Sequence, residues 1–267
     1  MVPSRLFRSV PVVLLALALA APAFAAVKAR PASAPPKIDP KAVQLLRQMS
    51  EYVSGLQSFS VHVDTTRDLM LPTDQALTSD MSYDLMIKRP DALRINMTSA
   101  AGGAQVFYDG SNLTVYTPTK NFYATTPAAP TIEQTVRQAM QRGIAMPLAE
   151  FVGGGESSRL LSNMASATFV GTSLVRGTMT NHLAFRQKTG VDWQMWIEEG
   201  DTPLPLRLMI IDRKAKDAPR YMATLSDWNT NASFSADTFR FTAPEGAKKI
   251  NFRELPKPRS FRQAPVK

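Results

Sequence analysis

Residues 81–98 read MSYDLMIKRPDALRINMT, and apolar side chains occupy every second position in both halves of this stretch. The alternating positions are Met81, Tyr83, Leu85 and Ile87, then Leu93, Ile95 and Met97. Successive side chains of a β-strand point to opposite faces of the sheet, so this alternation predicts two strands with one buried face each. The stretch therefore favours a β-sheet as the main element of the fold.

The same two-residue period recurs on both sides of this stretch. Upstream, Phe59, Val61 and Val63 alternate with polar residues, and downstream Asp109-Gly110 separates two short apolar strands, as is typical of a hairpin. The remaining strands are predicted at 105–108, 113–116, 121–125, 167–175, 178–187, 191–198, 204–213 and 219–228, with a final short strand that holds Phe239 and Phe241. A spacing of about ten residues between strands indicates an antiparallel meander.

Two helical regions interrupt the strands. Asp39 is a favourable N-cap, Pro40 suits the first helical position, and apolar residues then recur every three or four positions. This pattern predicts an amphipathic helix over 40–55. A capping box opens the second region, which we expect to form a helical insertion over 131–163.

Some of the later strands are apolar on both faces. Trp193, Met195 and Ile197 fall on one side of their strand, and Trp196 falls on the other. A sheet that is buried on both sides needs two covers. A curved sheet wrapped around helices supplies one cover, and a ligand or another element supplies the second, which is a first indication of a hydrophobic cavity.

The N-terminus has the pattern of a secretory signal peptide. Arg5 and Arg8 precede an apolar run, and Ala23-Phe24-Ala25 is a small-x-small cleavage site. We therefore expect a signal peptide over 1–25, an Ala/Pro-rich linker over 26–38, one folded domain over 39–247 and a basic tail over 248–267. Export to the periplasm argues against nucleotide-dependent enzymes and against nucleic acid as a partner.

The net charge of +9 is concentrated in the tail. Residues 248–267 hold seven lysines and arginines against one glutamate. Such a segment is either a solvated terminus or an electrostatic contact for an anionic membrane or for lipopolysaccharide phosphates. Both interpretations stay open at this point.

The residue types needed for catalysis are scarce. The chain has no cysteine, and its two histidines, His62 and His182, lie far apart along the sequence on predicted strands. The carboxylates Glu198, Glu199 and Asp201 cluster around a glycine, as turn residues do. We therefore expect no catalytic residue, no metal and no cofactor, and an exported hydrolase ranks last among the functions considered.

The chain contains four motifs: DLMIKRPDALR at 84–94, YDGSNLTVYTP at 108–118, DWQMWI at 192–197 and FRFTAPEG at 239–246. In their order and spacing, these motifs resemble the outer-membrane lipoprotein carrier superfamily of LolA- and LolB-like proteins. The motif at 192–197 and the following Pro203-Leu204-Pro205 resemble an uncharacterised branch of predicted periplasmic proteins in that superfamily. The resemblance runs from about residue 40 to 250.

The resemblance implies a mainly β (α+β) fold, an unclosed antiparallel β-barrel of about 10–11 strands. It would carry an N-terminal helix and a helical lid over a hydrophobic cavity. By match to the Lys-Arg-Pro motif of the carriers, Arg89 would hold the lid shut, and Leu93 would lie at the mouth of the cavity. The cavity is expected to be lined by Tyr83, Leu85, Met140, Met146, Trp193 and Met195.

The function implied is binding of a hydrophobic ligand, which would be a lipid, an acyl chain or a lipoprotein, by a carrier or chaperone of envelope biogenesis. The alternative is an interaction or stress-sensing module that binds an envelope protein partner without transporting lipid. The apolar, adaptable side chains of methionine suit the first function, and Met164, Met209 and Met222 are further candidates for the lining.

Overall fold

The computed structural model describes residues 38–71, 73–141, 161, 163–215 and 217–252, without the side chains of Met140 and Gln141. The predicted signal peptide, the linker up to residue 37, the side chains of Met140 and Met146 and the tail beyond 252 lie outside these described residues. So does Gly153-Gly154-Gly155, which the sequence favours as a hinge beside the expected lid. The predicted insertion is described chiefly at its start, where helix α2 spans Ile132–Gln141.

Helix α1 spans Pro40–Gly55, as predicted from its local signals. The Asp39 carboxylate accepts a hydrogen bond from the backbone N–H of Lys41 at 2.9 Å, which satisfies one of the free donors at the start of the helix. The residues that α1 buries recur at helical spacing and are Ala42, Leu46, Met49 and Val53. They hold the helix against the sheet.

Twelve strands in the described part of the chain form one sheet. Strands β1 to β6 are Ser58–Met70, Ala76–Lys88, Ala92–Ser99, Gly102–Tyr108, Asn112–Thr117 and Phe122–Pro127. Strands β7 to β12 are Met164–Val175, Thr178–Gln187, Val191–Glu198, Pro205–Asp212, Arg220–Asn229 and Lys248–Lys249. The Asp109-Gly110 hairpin is confirmed, because the Asp109 carboxylate accepts from the backbone N–H groups of Ser111 and Asn112.

The strand order is β12-β6-β5-β4-β3-β2-β1-β11-β10-β9-β8-β7. Strands β1 to β6 form one antiparallel meander and β7 to β11 form a second. The two meanders are joined where β1 pairs with β11, for example Val63 with Leu225. The sheet ends at β12 and β7 without closing, so the expected unclosed antiparallel barrel is confirmed.

We call the face of the sheet that packs against α1 the inner face. Cross-strand register places Val61, Leu85 and Ile95 side by side on this face, and Leu208, Met195 and Leu183 side by side on the other half. Most of these side chains are buried, together with the apolar side of α1, in one core cluster. The alternation in the sequence is therefore the alternation of inner and outer faces.

The prediction of a short strand at Phe239 and Phe241 is wrong. Phe239 closes a single 3₁₀ turn, Ala236–Thr238, and Phe241 lies in irregular chain. The Phe241 ring packs on the outer face of β4 to β6, with its centroid 5.0–5.5 Å from the rings of Phe107, Tyr116 and Tyr123. The alternating aromatic residues of this segment therefore pack on the sheet and do not form a strand of it. The segment covers the outer face of this half of the sheet.

The last strand lies further along the chain. Lys248 and Lys249 pair in parallel with Phe122 and Tyr123 of β6. The backbone N–H groups of Lys248 and Ile250 donate to the carbonyls of Asn121 and Tyr123 at 2.9 and 2.8 Å. The sheet thus extends two residues into the segment predicted as a basic tail.

Candidate functional site

One part of the inner face is apolar but not sealed. Eight side chains on β2 to β5, β10 and β11 are half-buried, and cross-strand pairs such as Tyr83 with Met97 and Ile95 with Val106 bring them together. We call this set the open inner face: Met81, Tyr83, Ile95, Met97, Val106, Val115, Ile210 and Tyr221. Apolar area that the described residues leave accessible can be covered by an apolar ligand at a gain of about 25 cal/mol per Å².

Two tyrosines give the open inner face a polar component. Tyr83 on β2 and Tyr221 on β11 lie on either side of β1. Burial raises the pKa of the Tyr221 hydroxyl, and the nearby Tyr83 adds to the effect. Burial also raises the pKa of Tyr83, against the opposing effect of a hydrogen bond with Thr65. Both hydroxyls are therefore protonated at neutral pH and can donate hydrogen bonds.

The predicted lining residues lie at different depths. Leu85, Leu93, Trp193 and Met195 belong to the sealed core, and Leu93, expected at a cavity mouth, is only 3% exposed between Ile87 and Tyr108. Tyr83 is the predicted lining residue that is accessible on the open inner face. Met209 and Met222 pair with each other on the outer face, so they do not line the inner one.

Sequence reasoning missed seven of the eight residues of the open inner face. The alternation in the sequence correctly assigns Met81, Ile95 and Met97 to the apolar face of their strands. Their depth depends on which elements pack over them on the inner face, and periodicity contains no information about this. The two-residue alternation is therefore the same for residues that are sealed in the core and for residues that stay half-buried.

Arg89 contacts the end of α1. Its Nε donates to the carbonyl of Leu56 at 2.9 Å, its backbone N–H donates to the carbonyl of Gln57 at 2.8 Å, and its guanidinium lies 5.7 Å from the centre of the Phe59 ring. The side chain is half-buried, and this burial lowers the pKa of the guanidinium. Arg89 thus fixes the connection between α1 and β1.

The next residue holds the start of α2. The backbone N–H of Ile132 donates to the carbonyl of Pro90 at 2.8 Å. The Tyr108 hydroxyl and the Thr135 hydroxyl both donate to the carbonyl of Ala129, at 2.6 and 3.1 Å. The turn after β2 therefore connects the end of α1 to the first residue of α2.

His62 lies on the outer face between two carboxylates. Its Nδ1 is 2.7 Å from Asp84 Oδ1, its Nε2 is 3.2 Å from Asp64 Oδ1, and Asp64 also accepts from the Ser82 hydroxyl. The hydrogen bond with Asp84 is the main reason that the pKa of His62 is raised. Its ring is therefore fully partnered, in agreement with a structural histidine.

We expect the stability difference between the wild type and His62→Gln to depend on pH. A raised pKa in the folded state stabilises the fold below the unfolded pKa of about 6.5, and this contribution is lost as pH rises through the folded pKa. In urea denaturation, the free energy of unfolding of the wild type should exceed that of His62→Gln by about 0.5 kcal/mol near pH 5.5 and by less above pH 8. The expected difference is small because the ion pairs of His62 are partly exposed to solvent. An advantage that is equal at both pH values would contradict this account.

The second histidine also has structural contacts that account for it. His182 stacks on Trp196 with ring centres 4.2 Å apart, and its Nε2 lies 2.8 Å from Gln194 Oε1. Across the described residues, no three His, Asp or Glu side chains converge to hold a metal ion. Among the described helices, none is long and apolar enough to cross a bilayer.

The family of the protein follows from a match over most of the chain. The model of the family described as "Predicted periplasmic protein (DUF2092)" matches residues 42–253. The chain belongs to this family, which confirms the resemblance to predicted periplasmic proteins. No curated protein matches the chain.

Solved structures with a similar chain path are distant in sequence. The lipoprotein LppX of Mycobacterium tuberculosis is 17% identical, with a TM-score of 0.49 over 73% of this chain and 98% of that chain. A LolA superfamily protein of Nitrosomonas europaea is 12% identical, with a TM-score of 0.39 over 75% and 97%. A chain of the Pseudomonas aeruginosa MucA/MucB complex is 18% identical, with a TM-score of 0.39 over 76% and 62%.

Proposed function

We propose that this protein is exported, cleaved after Ala25, and binds an acyl chain of a lipid or lipoprotein in the periplasm. The observation that carries the proposal is the open inner face, eight apolar or aromatic side chains that the described structure leaves half-buried. Each methylene group that leaves water gains about 0.8 kcal/mol. Burial of eight methylene groups of an acyl chain therefore gains about 6 kcal/mol before the cost of association. This is enough for useful affinity without charged contacts.

In this proposal α2 is the beginning of a lid, and Arg89 is a positioning residue that acts on it. Arg89 and Pro90 together link the Leu56 carbonyl to the N–H of Ile132. A movement of α2 away from the sheet would act on this turn first. The turn can therefore couple opening of the lid to the position of α1.

Arg89→Leu should loosen this coupling. Loss of the hydrogen bond to Leu56 should raise amide exchange in the turn after α1 and in α2, and should shorten retention of a bound lipid. Hydrogen exchange followed by mass spectrometry measures the first effect, and dilution of lipid-loaded protein measures the second. Lys88→Leu, next to it on an exposed position, removes the same charge and should change neither. Unchanged exchange and retention in Arg89→Leu would exclude the latch role.

The test of the function itself is native mass spectrometry of protein purified from the periplasm, before and after organic extraction. We expect a mass that begins at Ala26 and an additional lipid mass that extraction removes. A bare protein that also fails to take up monopalmitoylglycerol from solution would overturn the acyl-binding proposal. A mass that begins elsewhere would overturn the cleavage site alone.

A second candidate, a protein-interaction module, is favoured by the edge of the sheet at β7. Val170 and Leu174 on β7 and Met179 beside them on β8 are large, apolar and exposed. Within the described residues, the outer edge of β7 pairs only with Ile38, at Ala167. An uncovered apolar edge strand can pair with an extended segment of an envelope protein. Recovery of one stoichiometric protein partner without lipid would favour this candidate.

In the acyl-binding function, we assign to the basic tail the role of contacting an anionic membrane surface. Clustered lysines and arginines are attracted to anionic headgroups by about 1 kcal/mol for each charge close to the surface. Binding to anionic vesicles that disappears on removal of residues 253–267 would support this role, and binding that persists would exclude it.

A further inference from the structure

Trp193 on β9 carries a buried hydrogen-bond donor without a partner. The side chain is on the inner face and 4% exposed, and its ring stacks on Phe185 with centroids 4.0 Å apart. Its indole N–H is closed off from solvent and makes no hydrogen bond with any described group. More than nine in ten buried polar groups in proteins have a partner, so this donor is exceptional and costly to the free protein.

A second tryptophan on the inner side of the same core provides a contrast. Trp228 on β11 stacks on Phe59, and its indole N–H donates to the carbonyl of Pro205 at 3.3 Å. The same side chain is thus satisfied by the protein backbone at one position and unsatisfied at the other. The free donor at Trp193 does not follow from the residue type or from burial in general.

The position of Trp193 connects it to the open inner face. Trp193 pairs with Ile210 of β10, and Ile210 pairs with Tyr221 of β11. The three residues form one transverse row, in which Cα atoms of Trp193 and Tyr221 are about 10 Å apart, since neighbouring strands are spaced by about 4.8 Å. Tyr221 is half-buried, and burial raises the pKa of its hydroxyl. The row therefore leads from the half-buried Tyr221 of the open inner face to Trp193 in the sealed core, where a ligand that displaces the side chains over the indole would meet a neutral donor.

We propose that the Trp193 indole N–H donates a hydrogen bond to the carbonyl oxygen of an acyl ester or amide in the bound ligand. This proposal rests on the proposed acyl-binding function and narrows the ligand to chains that carry such a carbonyl. A neutral donor among apolar side chains suits a neutral acceptor, whereas an unpaired charge would be far more expensive to bury there. The ligand carbonyl would satisfy a donor that the folded chain leaves unpaired, so the hydrogen bond favours the bound state selectively.

The experiment compares two probes that differ only at this atom. Monopalmitoylglycerol has an ester carbonyl, and hexadecylglycerol ether has the same chain and head group without it. Trp193→Phe retains the stacked ring and removes the donor. We expect it to weaken binding of the ester about tenfold and binding of the ether less than twofold. The matched control, Trp228→Phe, should affect both probes equally, because its N–H is bonded to Pro205.

A spectroscopic readout accompanies the affinities. The chain has three tryptophans, so its indole N–H groups give three separable signals in ¹⁵N-labelled protein, and Trp193→Phe identifies one of them. The ester should shift the Trp193 signal downfield and the ether should not. Equal losses for both probes, or an unshifted Trp193 signal in the ester complex, would overturn the carbonyl proposal alone. Failure of the wild type to bind either probe would overturn the acyl-binding function.

Discussion

Met97→Arg is expected to reduce binding of monopalmitoylglycerol about 100-fold or more. Met97 lies on β3 in the middle of the open inner face, between Tyr83 of β2 and Ala104 of β4. An arginine there must either lose its hydration beneath the acyl chain or occupy the surface that the chain would cover. Titration of the probe with purified protein measures the loss.

The control for this variant is the next residue of the same strand. Thr98 is exposed and lies on the outer face, so Thr98→Arg adds the same charge about 3.3 Å further along the strand but on the other side of the sheet. It should bind the probe like the wild type. Equal affinities of Met97→Arg and Thr98→Arg, with both variants folded by circular dichroism, would show that the inner face does not bind the acyl chain.

Leu46→Ala is expected to lower the free energy of unfolding by about 2–5 kcal/mol. Leu46 is fully buried on α1 and packs into the core cluster together with Met49 and Val53. Its truncation leaves a cavity between the helix and the sheet that the neighbouring strands can fill only partly. Urea denaturation measures the change.

Gln44 offers a comparison within the same helix. Its side chain is exposed, so Gln44→Ala should change the free energy of unfolding by less than about 0.5 kcal/mol. A similarly small change in Leu46→Ala would mean that α1 contributes little to the stability of the sheet. The function of α1 would then have to be sought in the movements of the lid.

The parts of the fold that were predictable from sequence are those decided by near neighbours. The Asp39 cap, the apolar spacing of α1 and the Asp109-Gly110 turn depend on residues a few positions apart, and each was predicted correctly. The pairing of β1 with β11 and the docking of Phe241 on the outer face depend on distant segments. Sequence periodicity contains no signal for either.

The candidate site was predicted to a smaller extent for the same reason. Leu93 and Met97 are both inner-face residues of β3, yet one is sealed in the core and the other is half-buried. Alternation assigns the face of a side chain, and the elements that pack on the inner face decide its depth. The free donor of Trp193 also became visible only when the surroundings of the ring were known.

The junction between the two meanders has a consequence for how the chain reaches its folded state. Val63 and Leu225 are neighbours in the sheet but belong to the first and last long strands of the domain. Because a chain is synthesised from its N-terminus, the β1 edge exists long before β11 can cover it. Contacts between such distant segments form slowly, and an uncovered strand edge invites pairing with other chains. The interval between the appearance of β1 and the arrival of β11 is therefore when the newly made protein is most exposed to aggregation.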